Sequence, residues 1–348
     1  MNKMSGSIQT AVIALIIFIG LWIVPIALEG TSYLNLVNTI GIYSIAVIGL
    51  NLIVGITGIL SMGHAAFFGL GGYTAILLST HLSVNPFIAI LISCVFIALL
   101  SALFAAPLSK LTELFMALAS LGFGVILFTI INSGKSFTGG PNGMAGFPPL
   151  SIGGYEFNNE KQFFYLIWLS VILVSVLVAN LLNSRIGRAL KAIHSDEVAA
   201  SSIGIPTRKF KVVAFSLGCT IAAFAGSLLA YYMQFISPNS LSMKMSINML
   251  VMSYLGGIST VIGGIIGSAV YQLIPQLLLQ HQEYELIIQG IILLVIILYF
   301  PGGIYKGVKK GVHFLKNRFG TNKKRWNNID GNVESGTSEQ TIRRNPGH

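Results

Sequence analysis

Between Gly30 and Ser109 the chain carries no Asp, Glu, Lys or Arg, and this gap constrains the fold more than any motif does. A charge at the centre of a bilayer helix costs about 2.5 to 3.5 kcal/mol on insertion scales, so a long charge-free apolar stretch is what lipid exposure demands. Over the whole chain 54% of residues are hydrophobic and 9% are charged, where soluble domains are about one-quarter charged. Water could not hold such a chain folded. The sequence is that of an integral membrane protein.

A spanning helix needs about 20 predominantly apolar residues. Suitable segments run near 8–28, 34–54, 62–80, 86–107, 114–132, 163–183, 211–232, 245–258, 260–280 and 286–300. They predict an all-α polytopic bundle of about ten transmembrane helices. The first segment follows Lys3 and resembles a signal peptide. It is longer than an h-region, and no small-x-small cleavage site follows it, so it is expected to stay as a span. Gly256-Gly257, between the eighth and ninth segments, leaves open whether that pair is two helices or a re-entrant hairpin.

Lys and Arg in short loops set orientation. The 184–210 segment carries Arg185, Arg188, Lys191, Arg208 and Lys209, and the C-terminal region carries Lys306, Lys309, Lys310, Lys316 and Arg318. Both are therefore expected on the cytoplasmic side. The 133–162 loop mixes two lysines with two glutamates, and 281–285 holds only Glu283 and Glu285, so both should face outward. Ten spans with both termini cytoplasmic satisfy every assignment. The chain divides into a transmembrane domain over 1–305 and a tail over 306–348. The tail is first basic, suited to the anionic inner leaflet, then polar and expected to be disordered.

The net charge of +10 raises nucleic acid as a partner, but the basic residues cluster at span ends, where they set topology; no nucleic-acid binding is expected. Cys94 and Cys219 stand alone in apolar stretches and provide neither a disulfide framework nor metal-ligand spacing. No span holds paired carboxylates, a His-x-x-x-His pair or a Gly-x-Ser-x-Gly turn. Gly134-Lys135-Ser136 ends like a phosphate-binding loop, but position 129 is Thr where the opening Gly is required. The chain is not expected to be an enzyme or to hold a cofactor or metal; any ATP and Mg would belong to partner subunits.

Three interruptions stand out. The stretch Asn51 to Tyr73 places six glycines, two hydroxyls and His64 in what would otherwise be continuous helix. Irregular backbone at membrane depth survives only when buried in protein or lining a water-filled cavity, and Gly-interrupted spans often line a transport path. The polar residues Asn51, Thr57, Ser61, His64 and Asn132 are therefore the expected lining. With no carboxylate nearby, His64 is better explained as a hydrogen-bonded pore or core histidine than as a proton carrier. The second interruption, Gly139, Gly140, Pro141, Asn142 and Gly143, imposes tight turns on the outer side and predicts a shaped vestibule.

The third is Gly187 to Pro206. Ser195 is the expected N-cap of a short helix, with Asp196 and Glu197 in its first turn and Gly204 and Pro206 at its end. A membrane-embedded motor needs such an element to receive force from a soluble partner; the bland alternative is a surface loop held by lipid headgroups. Small residues also recur at helical spacing, at Gly218/Ala222/Gly226, Gly263/Gly267 and Ala65/Gly69, which permits close helix approach.

In combination these stretches resemble the permease subunits of branched-chain amino acid ABC importers, in the LivM-like branch. The likeness is carried by Gly49 to Tyr73, by Met116 to Gly124 with Thr138 to Gly143, by Gly187 to Ile205, by Phe215 to Gly264, and by Phe300-Pro301-Gly-Gly-Ile304. The chain departs from the family at Val125, where an acidic residue is usual, and in the long tail after Lys306. The resemblance implies a non-catalytic subunit of a bacterial cytoplasmic membrane importer, forming half of a path for Leu, Ile and Val. It implies a coupling helix with Ser195, Asp196, Glu197, Ala200 and Gly204 docking on an ATPase. It also implies a second LivH-like permease, two ABC ATPases and an extracytoplasmic binding protein. Urea or short-chain amides are the alternative substrates, and an ion-coupled secondary transporter is the alternative mechanism.

Overall fold

The computed structural model describes residues 32–277 as a continuous run, with isolated positions at 25 and from 287 to 307. The expected spans at 8–28 and 286–300, and the tail 306–348, fall outside that continuous run. Ten helices are labelled: α1 (Ser32–Asn51), α2 (His64–His81), α3 (Pro86–Leu108), α4 (Glu113–Ser133), α5 (Glu160–Asn183), α6 (Arg185–Ser195), α7 (Glu197–Ser202), α8 (Thr207–Met233), α9 (Met243–Gly256) and α10 (Val261–Leu277). Helix occurs at each of the eight expected segments within the described region.

Fewer of these qualify as full crossings than the sequence led us to expect. Five are long and apolar enough to span a bilayer: α1 with its continuation to Ile56, α3, α4, α5 and α8. The α9–α10 pair, bent by 115°, would make a sixth if counted as one span. Its helices have 14 and 17 residues, short of the length a bilayer requires. Helix α2 has 18 residues, but two histidines and three glycines dilute its apolar character.

Helix α1 is the axis of the bundle, with Ile42, Ile45, Ile48 and Leu50 fully buried. Helix α3 lies on the outside. Ile88, Leu91, Ile92, Val95, Leu99 and Leu103 recur at helical spacing along one exposed face, a stripe suited to lipid. Its start is defined by Pro86 in the first helical turn and by Asn85, whose side-chain oxygen accepts from the Phe87 N–H at 3.0 Å.

Lipid tails supply no hydrophobic force between helices, so contact depends on shape and hydrogen bonding. The small-residue face of α8 makes close approaches to its neighbours. A Cβ on Gly218 would lie 2.6 Å from the Gly49 carbonyl oxygen, and one on Gly226 would lie 1.8 Å from that of Phe68. The expected small-residue stripe is thus the seam where α8 crosses α1 and α2. Beside it, Phe67, Phe104, Phe123 and Phe215 cluster, with Phe104 and Phe123 stacked at 4.2 Å and Phe67 edge-on to Phe215 at 5.7 Å. This cluster fastens the outlying α3 and α4 to α2 and α8.

Polar groups tie one end of the bundle. Asn38 Nδ2 donates to the Glu160 carbonyl at 3.0 Å, and Tyr231 on α8 donates to Ser79 Oγ at 3.0 Å. The all-α expectation misses only four two-residue strands at this end. β1 (Met144–Ala145) pairs antiparallel with β4 (Phe235–Ile236), and β2 (Ser151–Ile152) with β3 (Tyr155–Glu156).

Gly226→Val drives a side chain into the Phe68 carbonyl, so the variant is expected to lose about 3 kcal/mol or more, at or above the upper end of ordinary overpacking. Gly122→Ala adds a methyl where no atom lies within 4 Å, and it should leave stability unchanged. The apparent melting temperature of each purified variant, followed by loss of the monodisperse peak in size exclusion, checks both.

Candidate functional site

Helix α1 does not end cleanly. It widens into a π-helical turn, Leu52–Ile56, then the chain runs irregularly to Gly63 before α2 begins. Gly58 adopts φ +76°. The irregular stretch is pinned from several helices at once. The Met62 N–H donates to Ser120 Oγ of α4 at 3.0 Å, and the Ala65 N–H donates to Ser246 Oγ of α9 at 3.1 Å. His64 Nε2 pairs with the Ala46 carbonyl of α1 at 3.0 Å. The first N–H groups of a helix have no partner of their own, so serines on neighbouring helices complete the buried start of α2.

The turn between α9 and α10 lies against this break. Asn51 Nδ2 donates to the Thr260 carbonyl at 2.9 Å, and Ser253 Oγ donates to Asn51 Oδ1 at 2.5 Å. A Cβ on Gly55 would lie 1.9 Å from the Ile258 carbonyl oxygen, so the two irregular segments are in backbone contact. One buried asparagine therefore clamps two broken elements together.

The interior places four of the five expected path residues inside the single chain. Asn51, Thr57, Ser61 and His64 are buried. Thr57 Oγ1 donates to the Ile53 carbonyl and accepts from the Ile59 N–H at 3.4 Å. Ser61 Oγ and His64 Nδ1 are buried without a hydrogen-bond partner among the described residues. Asn132 is half-buried near the far end of α4, apart from the other four. Asn51 thus serves as a clamp, which its residue type alone did not indicate. Ser120, Ser246, Ser253 and Thr260 were missed. Their only signal was a hydroxyl isolated in an apolar segment, where it must find a partner.

The α6–α7 segment corrects one expectation. The cap of the short helix is Asp196, whose carboxylate accepts from the Val198 and Ala199 N–H groups at 2.9 and 3.0 Å. Ser195 is the last residue of α6, and its hydroxyl donates back to the Lys191 carbonyl at 3.1 Å. A carboxylate opposite the positive helix end bonds more strongly than a neutral hydroxyl, which moves the boundary by one residue. The end of α7 lies where the sequence places it. The Ile205 N–H reaches the Ala200 carbonyl at 3.1 Å and the Gly204 N–H reaches Ser201 at 3.0 Å. This is a Schellman motif with Gly204 at φ +85°.

Of the short α7, Ala200 is buried while Val198 and Ile203 are 75% and 76% exposed. Two large apolar side chains protruding from a capped six-residue helix were not foreseen. Their signal was an apolar residue on the outward side of a helix too short to need it. The preceding α6 is fixed to the end of α5: Arg188 donates to the Asn183 carbonyl at 3.1 Å and Lys191 to Leu182 at 3.4 Å. Near its end, His194 Nδ1 lies 2.6 Å, and Glu113 Oε1 3.3 Å, from where a Cβ on Gly58 would stand. The segment between spans therefore abuts the broken span.

At the opposite end of α5, Gly139, Gly140 and Gly143 all have positive φ and form a tight turn with Pro141 and Asn142 exposed at its tip. A Cβ on Gly143 would lie 2.2 Å from the Ile236 carbonyl oxygen. The turn is held against the chain that leaves α8, and the β1–β4 pairing continues that contact.

Residues 32–297 match the family described as branched-chain amino acid transport system, permease component. The chain is 29% identical over 286 residues to the high-affinity branched-chain amino acid transport system permease protein LivM of Escherichia coli K12, covering 76% of this chain and 67% of that one. It is 24% identical to the probable branched-chain amino acid transport permease protein LivM of Methanocaldococcus jannaschii, covering 76% and 90%. Its identity to the LivH permease protein of Salmonella typhimurium is also 24%, covering 75% and 90%. No solved structure matches.

Asn51→Ala leaves the Ser253 hydroxyl and the Thr260 carbonyl without their partner, and a loss of about 1 to 3 kcal/mol is expected. A double-mutant cycle with Ser253→Ala should return a coupling energy of about 0.6 to 1.7 kcal/mol, the range for hydrogen bonds between membrane helices. Unfolding of the variants in mixed micelles measures both.

Proposed function

Because the chain belongs to the branched-chain amino acid transport system permease family, we propose that it forms half of the translocation path of an ATP-driven importer for Leu, Ile and Val. It is a multi-pass membrane protein of the bacterial cytoplasmic membrane. The subunit performs no chemistry of its own. Its partners are a second, LivH-like permease, two ATPase subunits that bind ATP and Mg, and an extracytoplasmic binding protein that delivers the amino acid.

The observation that carries this reading is α7. It is capped at both ends, stands between two spans on the basic side, and presents Val198 and Ile203 outward. A helix of six residues is not stable alone. Its caps keep it formed while its apolar side chains stay free for a partner. The positive-inside rule supports a cytoplasmic α6–α7 side, with the Gly139–Gly143 turn and both short ladders outside and both termini inside. Asp196, Ala200 and Gly204 shape the docking helix, Ser195 ends the helix before it, and the outer turn borders the entrance.

Force applied at α7 reaches the broken span through the contact of His194 with Gly58. The buried polar residues Ser61 and His64 lie on the irregular segment that such a push would move. A path through half a bundle has to open at one end while it is closed at the other, and irregular segments are where a bundle deforms.

The test is reconstitution of this chain with the other subunits in liposomes. Labelled leucine and the binding protein are supplied on one face and ATP on the other. Uptake is expected with ATP, not with a non-hydrolysable analogue, and unlabelled urea should not compete. Uptake that ignores ATP and collapses with the proton gradient would establish an ion-coupled transporter instead.

Val198→Asp with Ile203→Asp should lower recovery of the ATPase subunits in a detergent pull-down by about ten-fold or more, the loss expected when interface anchors are removed. The chain itself should still insert, because neither side chain is packed within it.

A further inference from the structure

Glu197, in the first turn of α7, directs its carboxylate inward. Its Oε2 lies 2.5 Å from Nζ of Lys211, one turn into α8. The lysine side chain is only 7% exposed and the glutamate 45%. A buried cation is kept charged by its partner, and removing one member of such a pair is far more damaging than exchanging both. Among the described residues, this pair and the buried Ala200 fasten α7 to the transmembrane bundle. Pro206 and the turn at Gly204 interrupt the backbone between the two helices.

What lies beyond Lys211 gives the pair its significance. Helix α8 runs unbroken for 27 residues, about 40 Å at 1.5 Å per residue. Its seam with α1 and α2 runs through Gly218 and Gly226. Immediately after its far end, Phe235 and Ile236 pair with Met144 and Ala145 next to the Gly139–Gly143 turn. An unbroken helix passes displacement along its axis without absorbing it. The ion pair is at one end of this rod and the outer turn at the other.

We propose that Lys211 is a positioning residue, and that the Glu197–Lys211 pair is the strut carrying displacement of the docking helix into α8 and so to the outer turn. This inference rests on the transport reading above. It assigns Glu197 an intramolecular partner in place of a contact on the ATPase.

The experiment uses the assembled complex in liposomes and records leucine uptake, ATP hydrolysis and the signal of a fluorophore on a single cysteine at exposed Asn142. Glu197→Gln, Lys211→Met and the charge-swapped pair Glu197→Lys with Lys211→Glu are compared with the parent. Each single variant is expected to reduce leucine carried per ATP by about ten-fold, within the range for one contact on a coupling route. Each should also abolish the ATP-dependent change at position 142 while hydrolysis continues. The charge swap should restore both readouts. A swap as inactive as Glu197→Lys alone would overturn the strut and place the glutamate on the ATPase. Uptake and hydrolysis falling in the same proportion would also overturn it, since loss of fold lowers both. Glu197→Gln, changed at a half-exposed side chain, keeps the test decisive if Lys211→Met fails to assemble. A parent complex without ATP-driven uptake would instead refute the importer reading.

Discussion

Inside a bilayer every backbone N–H and C=O has to find its partner within the protein, and the interior of this bundle is organised by that requirement. Two stretches, 57–63 and 257–260, leave helical geometry at depth and so release groups that lipid cannot satisfy. The structure meets the need with short hydroxyls and one amide. Ser120 and Ser246 receive the N–H groups at the start of α2, while Asn51 donates to Thr260 and accepts from Ser253. Asn51 stands where α1 passes into its π-turn, and its two bonds place the second break directly against the first.

Around these breaks the long elements are unbroken. Helix α5 runs from the outer loop to α6, and α8 runs from just after α7 to β4. Both begin or end at a segment where the chain meets something other than lipid. The short α7, with Val198 and Ile203 outward and Glu197 inward, and the glycine turn at 139–143 are therefore joined by rigid rods. The deformable backbone at 57–63 abuts α6 through His194.

Much of this arrangement was legible in the sequence. Apolar segments located eight of the ten labelled helices, all but α6 and α7, because the length and charge rules for spans are severe. The small residues of α8 announced close packing, and Gly204 announced the end of α7, since few other residues adopt its positive φ. What the sequence did not disclose depends on pairs of distant residues. Ser195 and Asp196 are both good caps, and the choice between them was made by the chain turning extended at the aspartate. Asn51 was expected in the path lining, and its clamp became visible only with the positions of Ser253 and Thr260. Similarly, the pairing of Glu197 with Lys211 became visible only when the two were seen within reach. Within the described residues, fewer segments pass as complete crossings than hydropathy suggests, for a related reason. Hydropathy registers apolar length, but it does not reveal that α9 and α10 meet at 115° over a short break.

The two kinds of polar contact also differ in what they permit. Neutral hydrogen bonds between membrane helices are worth about 0.6 kcal/mol on average, because alternative partners exist within the membrane. Three or four such bonds hold the breaks together, and their total is comparable to the few kcal/mol that separate conformers of a working protein. They can be exchanged during a cycle. The Glu197–Lys211 pair is not exchangeable in that sense, because separation would strand the charge of a deeply buried cation. Weak contacts where the bundle has to deform, and a strong one where it has to pull, are the arrangement that lets a displacement of α7 be spent on the breaks and not on the link itself.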